Sequence, residues 1–343
     1  MKNILIHPAD RCACGSFRVI QRGQVWNKFI APSRGNETVV LDSSTYLSPH
    51  KISDLKVKVF MTQRQFYKEQ INAISEYKSQ GLVIINDLDD MLWQVPPTNP
   101  FSKMYTGDVR RYLKESIQKC DISTASTIPL ADEIYKFARK NSIIVPNMLE
   151  PEWFMEPRPR KNEKLKVLWA GSSTHHGDLE ALVKVVTFLE DKVDFIFMGA
   201  LPHGITEEKN PNVGFVKGVE FSAYMRTLKM LAQEVDVAVA PLEPCRFNEC
   251  KSNLKLLEIG AVGLPIITSD IYPYQDSQRK IKWGNKQYKE WIDILMSYSD
   301  DETLRMSDAN ISYMYSKKFD CTTEDNIEVV EKFFNEAFNL IGE

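Results

Sequence analysis

The stretch VAVAPLEPCRFNECKSNLKLLEIGAVGLP, residues 237–265, decides how the chain is read. Val237–Ala240 is a short, wholly apolar run, the pattern of a strand buried on both faces. Pro241 ends it, a polar loop follows, and from Ser252-Asn253 apolar residues recur at helical spacing, which predicts a helix over Leu254–Val262. The first amides of such a helix lack an intrahelical acceptor, and its dipole favours negative charge there, so this end is a phosphate site with Lys251 beside it. Glu258 falls one to two turns further in, where a carboxylate can accept two hydroxyls of a ribose. Gly260 and Gly263 let the helix end and the next strand, Pro265–Thr268, approach closely. The competing reading is a purely structural strand–loop–helix with Lys251 and Glu258 in solvent.

Outward from this stretch, short apolar runs alternate with longer periodic segments, the pattern of parallel strands joined by covering helices. Strands are expected at Asn3–His7, Glu37–Leu41, Val57–Phe60, Leu82–Asn86, Ile122–Thr124 and Ser142–Val145. Helices are expected at Gln63–Gln80, Asp108–Lys119 and Pro129–Lys140. The proline-rich, charged segment Pro151–Lys164 offers little to bury and breaks the alternation. The pattern then restarts with strands at Leu165–Trp169, Asp194–Met198, Val213–Val216 and Val235–Ala240, and ends in helices at Tyr288–Tyr298, Glu302–Lys317 and Thr323–Leu340. Two doubly wound α/β domains account for this: residues 1–155, a linker at 156–164, and residues 165–310. Residues 311–343 are left as helices free to pack back on the first domain.

A chain of 343 residues suits two domains. Its net charge of -3, from 43 basic and 46 acidic side chains, gives no global attraction to nucleic acid. No apolar run approaches the roughly 20 residues that span a bilayer, and the opening Met1–Pro8 is too short an apolar run for a secretory signal. Six cysteines make no disulfide scaffold, and Cys12/Cys14 and Cys245/Cys250 lack zinc-finger spacing. A cytoplasmic protein with reduced thiols is the expectation.

Residues 237–265 resemble the donor-binding signature of retaining GT-B glycosyltransferases, the family-4-like glycosyl transferases group 1. Leu257-Glu258 and Gly260-Ala261-Val262-Gly263-Leu264-Pro265 match its second part. Glu258 is similar to the family's ribose-binding glutamate, while Cys250 stands where the first glutamate of the usual pair falls, next to Glu249. Residues 167–172 with Thr174-His175 and Asp178 resemble the opening strand and loop of a family donor domain, and Asn212–Gly218 the segment bordering the base. The resemblance is strongest over residues 165–270.

It implies a GT-B fold, two Rossmann-like domains facing across a cleft. It also implies transfer of a sugar from a nucleotide-diphosphate donor, a UDP-sugar by preference, to an acceptor hydroxyl with retention and no strict need of a metal. Donor contacts are expected from Gly15, Arg18, Gly171, Ser172, Gly218, Arg246, Lys251, Ser252, Asn253, Leu254 and Glu258. Gly15 and Arg18 lie in a Gly-x-x-x-Arg-like loop after the first strand, and Lys251 and Arg246 stand in for the family's basic pair. Catalytic roles fall to Lys251, His175, Asp89 and Asp90, the last two as a base or an acceptor-orienting carboxylate. Asp87-Leu88-Asp89 also has the spacing of a divalent-cation site, with sugar or acceptor binding and a solvated loop as its other readings. Trp93 is either an acceptor platform or a plug. The acceptor is left open as a glycan, a small molecule or a modified base of DNA, and a nucleotide-sugar-binding protein without turnover is the non-enzymatic alternative. An epimerase or oxidoreductase of the dinucleotide type is disfavoured because GxGxxG follows the first strand of neither domain.

Overall fold

The computed structural model describes residues 2–159 and 162–341, so Arg160 and Lys161 of the expected linker lie outside the described residues. Two six-stranded, wholly parallel sheets form. The first contains β1 (Asn3–His7), β2 (Val40–Asp42), β3 (Val57–Gln63), β4 (Val83–Leu88), β5 (Ile122–Ala125) and β6 (Ser142–Ile144). The second contains β7 (Leu165–Ala170), β8 (Val193–Met198), β9 (Val213–Val216), β10 (Val237–Ala240), β11 (Ile266–Ser269) and β12 (Arg279–Ile281). Their orders are β2-β1-β3-β4-β5-β6 and β12-β11-β10-β7-β8-β9. Strand order therefore reverses between β1 and β3 in one sheet and between β7 and β10 in the other. Loops diverge at the carboxyl ends of such strands and leave a crevice.

The apolar runs are strands because they are covered on both faces. Ile4, Val59, Ile84, Ile85, Phe195 and Val237 are all fully buried. Helices supply the cover, and their ends follow local chemistry: Thr127 caps Ile128–Ala138 through its hydroxyl, with Pro129 in the first turn, and Asp301 caps Glu302–Lys317.

Several expectations change: β2 starts at Val40 rather than Glu37, and β12 and a helix at Pro49–Asp54 come in addition. The helix expected from Gln63 begins at Lys68, because β3 runs on to Gln63 and Arg64 takes a left-handed φ of 50°. That conformation is costly for a side chain with a Cβ, so it marks a position held by other contacts. The segment after β1 is not a flexible loop. Residues 13–30 form a continuous helical run containing two π-helical stretches, Ser16–Ile20 and Trp26–Ile30.

That run is fixed by charge as well as by packing. Arg18 and Arg22 point inward, and both reach Asp87 at the end of β4. Arg18 bonds it with two nitrogens, at 2.7 and 3.1 Å, and Thr124 adds a hydroxyl at 2.6 Å. Asp87 is wholly buried, and burial raises its pKa, but Arg18 and Arg22 outweigh that and hold it below the usual carboxylate value.

Apolar packing ties the domains together at three places. Phe17 of the first packs on Phe221 and Trp153, at ring distances of 5.5 and 5.7 Å. Phe247 and Cys250 of the second enter the apolar cluster of Met91, Leu92 and Trp93. The helix Glu324–Asn339 lays Val330, Phe333 and Phe334 against Ile4 and Val59 of the first sheet and Trp26 of the helical run. Residue 311 lies inside the helix Glu302–Lys317, which packs on Gly260, so the return passage comes after Lys317. A Cβ on Gly260 would sit 2.3 Å from the Ser312 carbonyl oxygen.

Asp87→Ala would leave two guanidinium groups buried with no counter-charge. A loss of about 3–5 kcal/mol is expected in urea unfolding, against less than about 0.5 kcal/mol for the exposed Asp108→Ala. Equal stability of the two variants would contradict the account.

Candidate functional site

A cleft of about 590 Å³ lies between the carboxyl ends of the two sheets, a size that suits a small organic ligand. Its second-domain wall begins after β10. The chain leaves Ala240, makes the short helix Arg246–Glu249 and enters the helix Leu254–Ala261. Leu256 and Leu257 donate to the Asn253 carbonyl, whereas the amides of Ser252, Asn253, Leu254 and Lys255 have no backbone acceptor among the described residues. Lys251, Ser252, Leu254 and Lys255 line the cleft at this helix end. Glu258, one turn deeper, is 2% exposed. Its Oε2 accepts from Lys255 at 2.9 Å and from Tyr224 at 3.1 Å. Burial disfavours the Lys255 ammonium, but Glu258 beside it more than compensates and raises its pKa. Burial and the Glu258 charge likewise push the Tyr224 hydroxyl up.

The loop after β7 forms the facing edge. Gly171, Ser172 and His175 line the cleft together with Gly199 and Gly218. Gly199 has a φ of 97°, and a Cβ there would lie 2.1 Å from the Gly171 carbonyl oxygen. Only glycine fits both demands. His175 Nδ1 lies 2.7 Å from Asp178 Oδ2, while Asp178 Oδ1 accepts the Glu243 amide at 2.7 Å and Asn248 Nδ2 at 2.9 Å. This single buried carboxylate knits the β7 loop to the β10 loop.

From the first domain come Asp89, Asp90, Arg18 and Asn147. Arg64 bonds both Asp89 and Asp90, at 2.6 and 3.0 Å through Nη2, and Lys251 stands 3.4 Å from Asp90. Burial raises the Asp90 carboxyl, but Lys251 and Arg64 outweigh it and hold the group below the ordinary value. The carboxylates at 87, 89 and 90 therefore all face cations. Among the described residues no group of three or more His, Cys, Asp or Glu side chains is arranged to hold a metal ion, and no helix is long and apolar enough to cross a membrane.

Several expected contacts are placed differently. Arg18 touches the cleft, but its guanidinium is 1% exposed and committed to Asp87, Val145 and Asn147. Gly15 is absent from the cleft wall. A Cβ there would lie 1.8 Å from the Asp10 carbonyl oxygen, so Gly15 serves close packing of the turn. Arg246 points to Glu133 and Glu249, at 2.9 Å each, on the domain seam. Asn253 donates to the Tyr315 hydroxyl, away from the cleft. Trp93 stacks on Phe137 at 4.5 Å, buried, so it is a plug.

Sequence reasoning missed Lys255, Tyr224, Arg64, Asn147 and Gly199. Only Lys255 carried a local signal, being a second lysine in the first turn of the helix that ends at Glu258.

The histidine environment sets a pH dependence. Burial lowers the pKa of His175, against the pull of Asp178, and burial likewise lowers that of His7. The folded protein thus binds fewer protons than the unfolded chain, so this stability is full above the ordinary value of 6.5 and declines as pH falls through the lowered folded values. Denaturant titrations at about pH 7.5 and about pH 5.5 should show a loss on acidification that is smaller in His175→Gln. An unchanged pH slope in that variant would refute the assignment.

Residues 164–290 match the family model described as glycosyl transferases group 1. No curated protein matches the sequence. Among solved structures, sucrose-phosphate synthase from Thermosynechococcus elongatus aligns with a TM-score of 0.69 at 11% identity, covering 99% of both chains. Anabaena HepE in complex with UDP and glucose aligns at 0.63 and 9% identity, again over 99% of both. A putative UDP-N-acetylglucosamine 2-epimerase from Listeria monocytogenes aligns at 0.52 and 8% identity, over 97% of this chain and 94% of that one. At these identities the likeness is one of fold. The chain thus has the GT-B fold, and its second domain, over residues 164–290, is similar to the glycosyl transferases group 1.

Proposed function

We propose that this protein is a glycosyltransferase that moves a sugar from a nucleotide-diphosphate donor to an acceptor hydroxyl. The observation that carries the reading is the convergence of free helix amides, Lys251 and Lys255 on one cleft wall, with the Glu258 carboxylate one turn deeper. A diphosphate fits the former and a ribose the latter. The half up to residue 155 is then the acceptor side and the half from 165 the donor side. UDP is the nucleotide favoured, and retention follows from the family resemblance.

In the transition state, positive charge grows on the sugar and negative charge on the departing diphosphate oxygen. Amides, the Ser252 hydroxyl and the two ammonium groups meet that oxygen, and one donor oriented in advance is worth about 3 kcal/mol. With retention, the acceptor attacks from the leaving-group face and gives its proton to the diphosphate oxygen. Asp90, held below its ordinary pKa, is then a poor base and a good acceptor-orienting group. With Nδ1 donating to Asp178, His175 keeps Nε2 as an acceptor for a sugar hydroxyl.

Screening UDP-, GDP-, ADP- and CMP-sugars for a rise in melting temperature identifies the donor, because a ligand at 100 times its Kd adds about 2.7 kcal/mol. Lys251→Ala and Glu258→Ala should each lower kcat/KM for that donor by about tenfold to a hundredfold without unfolding the protein. Ordinary donor use by both variants would refute the site. Donor binding without transfer would leave a binding protein, and conversion of donor at its own sugar carbon would favour the epimerase chemistry that shares this fold.

A further inference from the structure

Three consecutive residues of the donor loop are bonded to the first domain. The Cys250 carbonyl accepts from Thr127 Oγ1 at 2.8 Å, Lys251 Nζ meets Asp90 Oδ1 at 3.4 Å, and Ser252 Oγ accepts from Asn147 Nδ2 at 2.8 Å. The last of these belongs to a longer chain. Asn147 is 4% exposed, and its Oδ1 accepts from Arg18 Nη1 at 3.0 Å. Arg18 is itself fixed by Asp87 and by the Val145 carbonyl.

The direction of these bonds matters. A guanidinium only donates, so the Asn147 atom facing Arg18 is its oxygen and the atom facing Ser252 is its NH₂. Since Ser252 Oγ accepts that bond, its own proton is free to be donated. Every link from Arg18 donates forward, and successive hydrogen bonds of one polarity strengthen one another in a dry site. The chain ends in the hydroxyl that stands at the open amino end of the helix Leu254–Ala261.

We propose that Asn147 is a positioning residue for the donor diphosphate, acting through Ser252, so that the acceptor-side domain sets the donor site's anion affinity. This rests on the function proposed above. Removing Asn147 frees the Ser252 hydroxyl to rotate and removes its polarisation by the Arg18 charge, while Lys251 and the helix amides stay in place.

The test uses the full chain and whichever of UDP, GDP and ADP raises its melting temperature most, with affinity read by calorimetry. Asn147→Ala and Ser252→Ala should each weaken binding about tenfold, and the double variant should bind no more weakly than either single. Asn147→Asp keeps the acceptor for Arg18 but takes the Ser252 proton for itself, so it should weaken the diphosphate more than Asn147→Ala does. Because its contact to Arg18 survives, Asn147→Asp decides the matter if Asn147→Ala fails to fold. For transfer, the donor KM should rise and kcat should fall as well, because the Ser252 hydroxyl also meets the charge that grows on the departing oxygen. Unchanged affinity in Asn147→Ala or Asn147→Asp, or strictly additive losses in the double variant, would overturn the proposal. If Lys251→Ala and Glu258→Ala also bind normally, or none of the three diphosphates binds, the functional reading falls with it. If those two lose binding while the Asn147 variants keep it, only this inference falls.

Discussion

Two guanidinium groups share one carboxylate where water does not reach. Arg18, Arg22 and Asp87 are at most 2% exposed, and their mutual attraction is what makes the burial of any one of them tolerable. Burial, the neighbouring Arg18 charge and the opposing pull of Asp87 leave Arg22 with a pKa lowered to about 9. The cluster pins residues 13–30 onto the end of β4, and much else follows from that placement. Phe17 is presented to the second domain, Asn147 is held by Arg18, and the first turns of the helical run become a wall of the cleft.

Charge is also what the two domains exchange across the cleft. Arg64, in a left-handed conformation that few arginines adopt, neutralises Asp89 and Asp90, and Asp90 in turn reaches Lys251. Lys251 is therefore shared between an acid of one domain and the open helix end of the other, where the proposed function places a diphosphate. Lys255 is shared in the same way between Glu258 and the open helix end. In the proposed function a diphosphate would meet cations already oriented by carboxylates, which would leave little reorganisation for the moment of reaction.

Hydrophobic periodicity located most strands and covering helices, though not β12 or the helix Pro49–Asp54, because a parallel strand covered on both faces must be largely apolar. Leu165–Ala170 and Val237–Ala240 were legible for that reason. The helical run after β1 was not, since Arg18 and Arg22 interrupt its apolar face with charged side chains that a distant partner, Asp87, makes buriable. Nor could the start of the helix Lys68–Ser79 be read from pattern, because Arg64 breaks the run by a backbone turn that its charge partners, and no local residue preference, sustain.

What the residues determined by themselves is therefore local: the apolar runs, the helix opening at Leu254 with Lys251 before it and Glu258 inside it, and the glycines that let elements touch. Tertiary structure alone decided which charges are spent and which remain available. Arg18, Arg246 and Lys255 look alike as letters, yet the first is consumed by Asp87, the second by Glu133 and Glu249, and the third faces the cleft. A cation's availability depends on what lies within a few ångströms of it, and those neighbours come from segments 69 and 113 positions apart in sequence for the first two pairs. No local pattern records such distances.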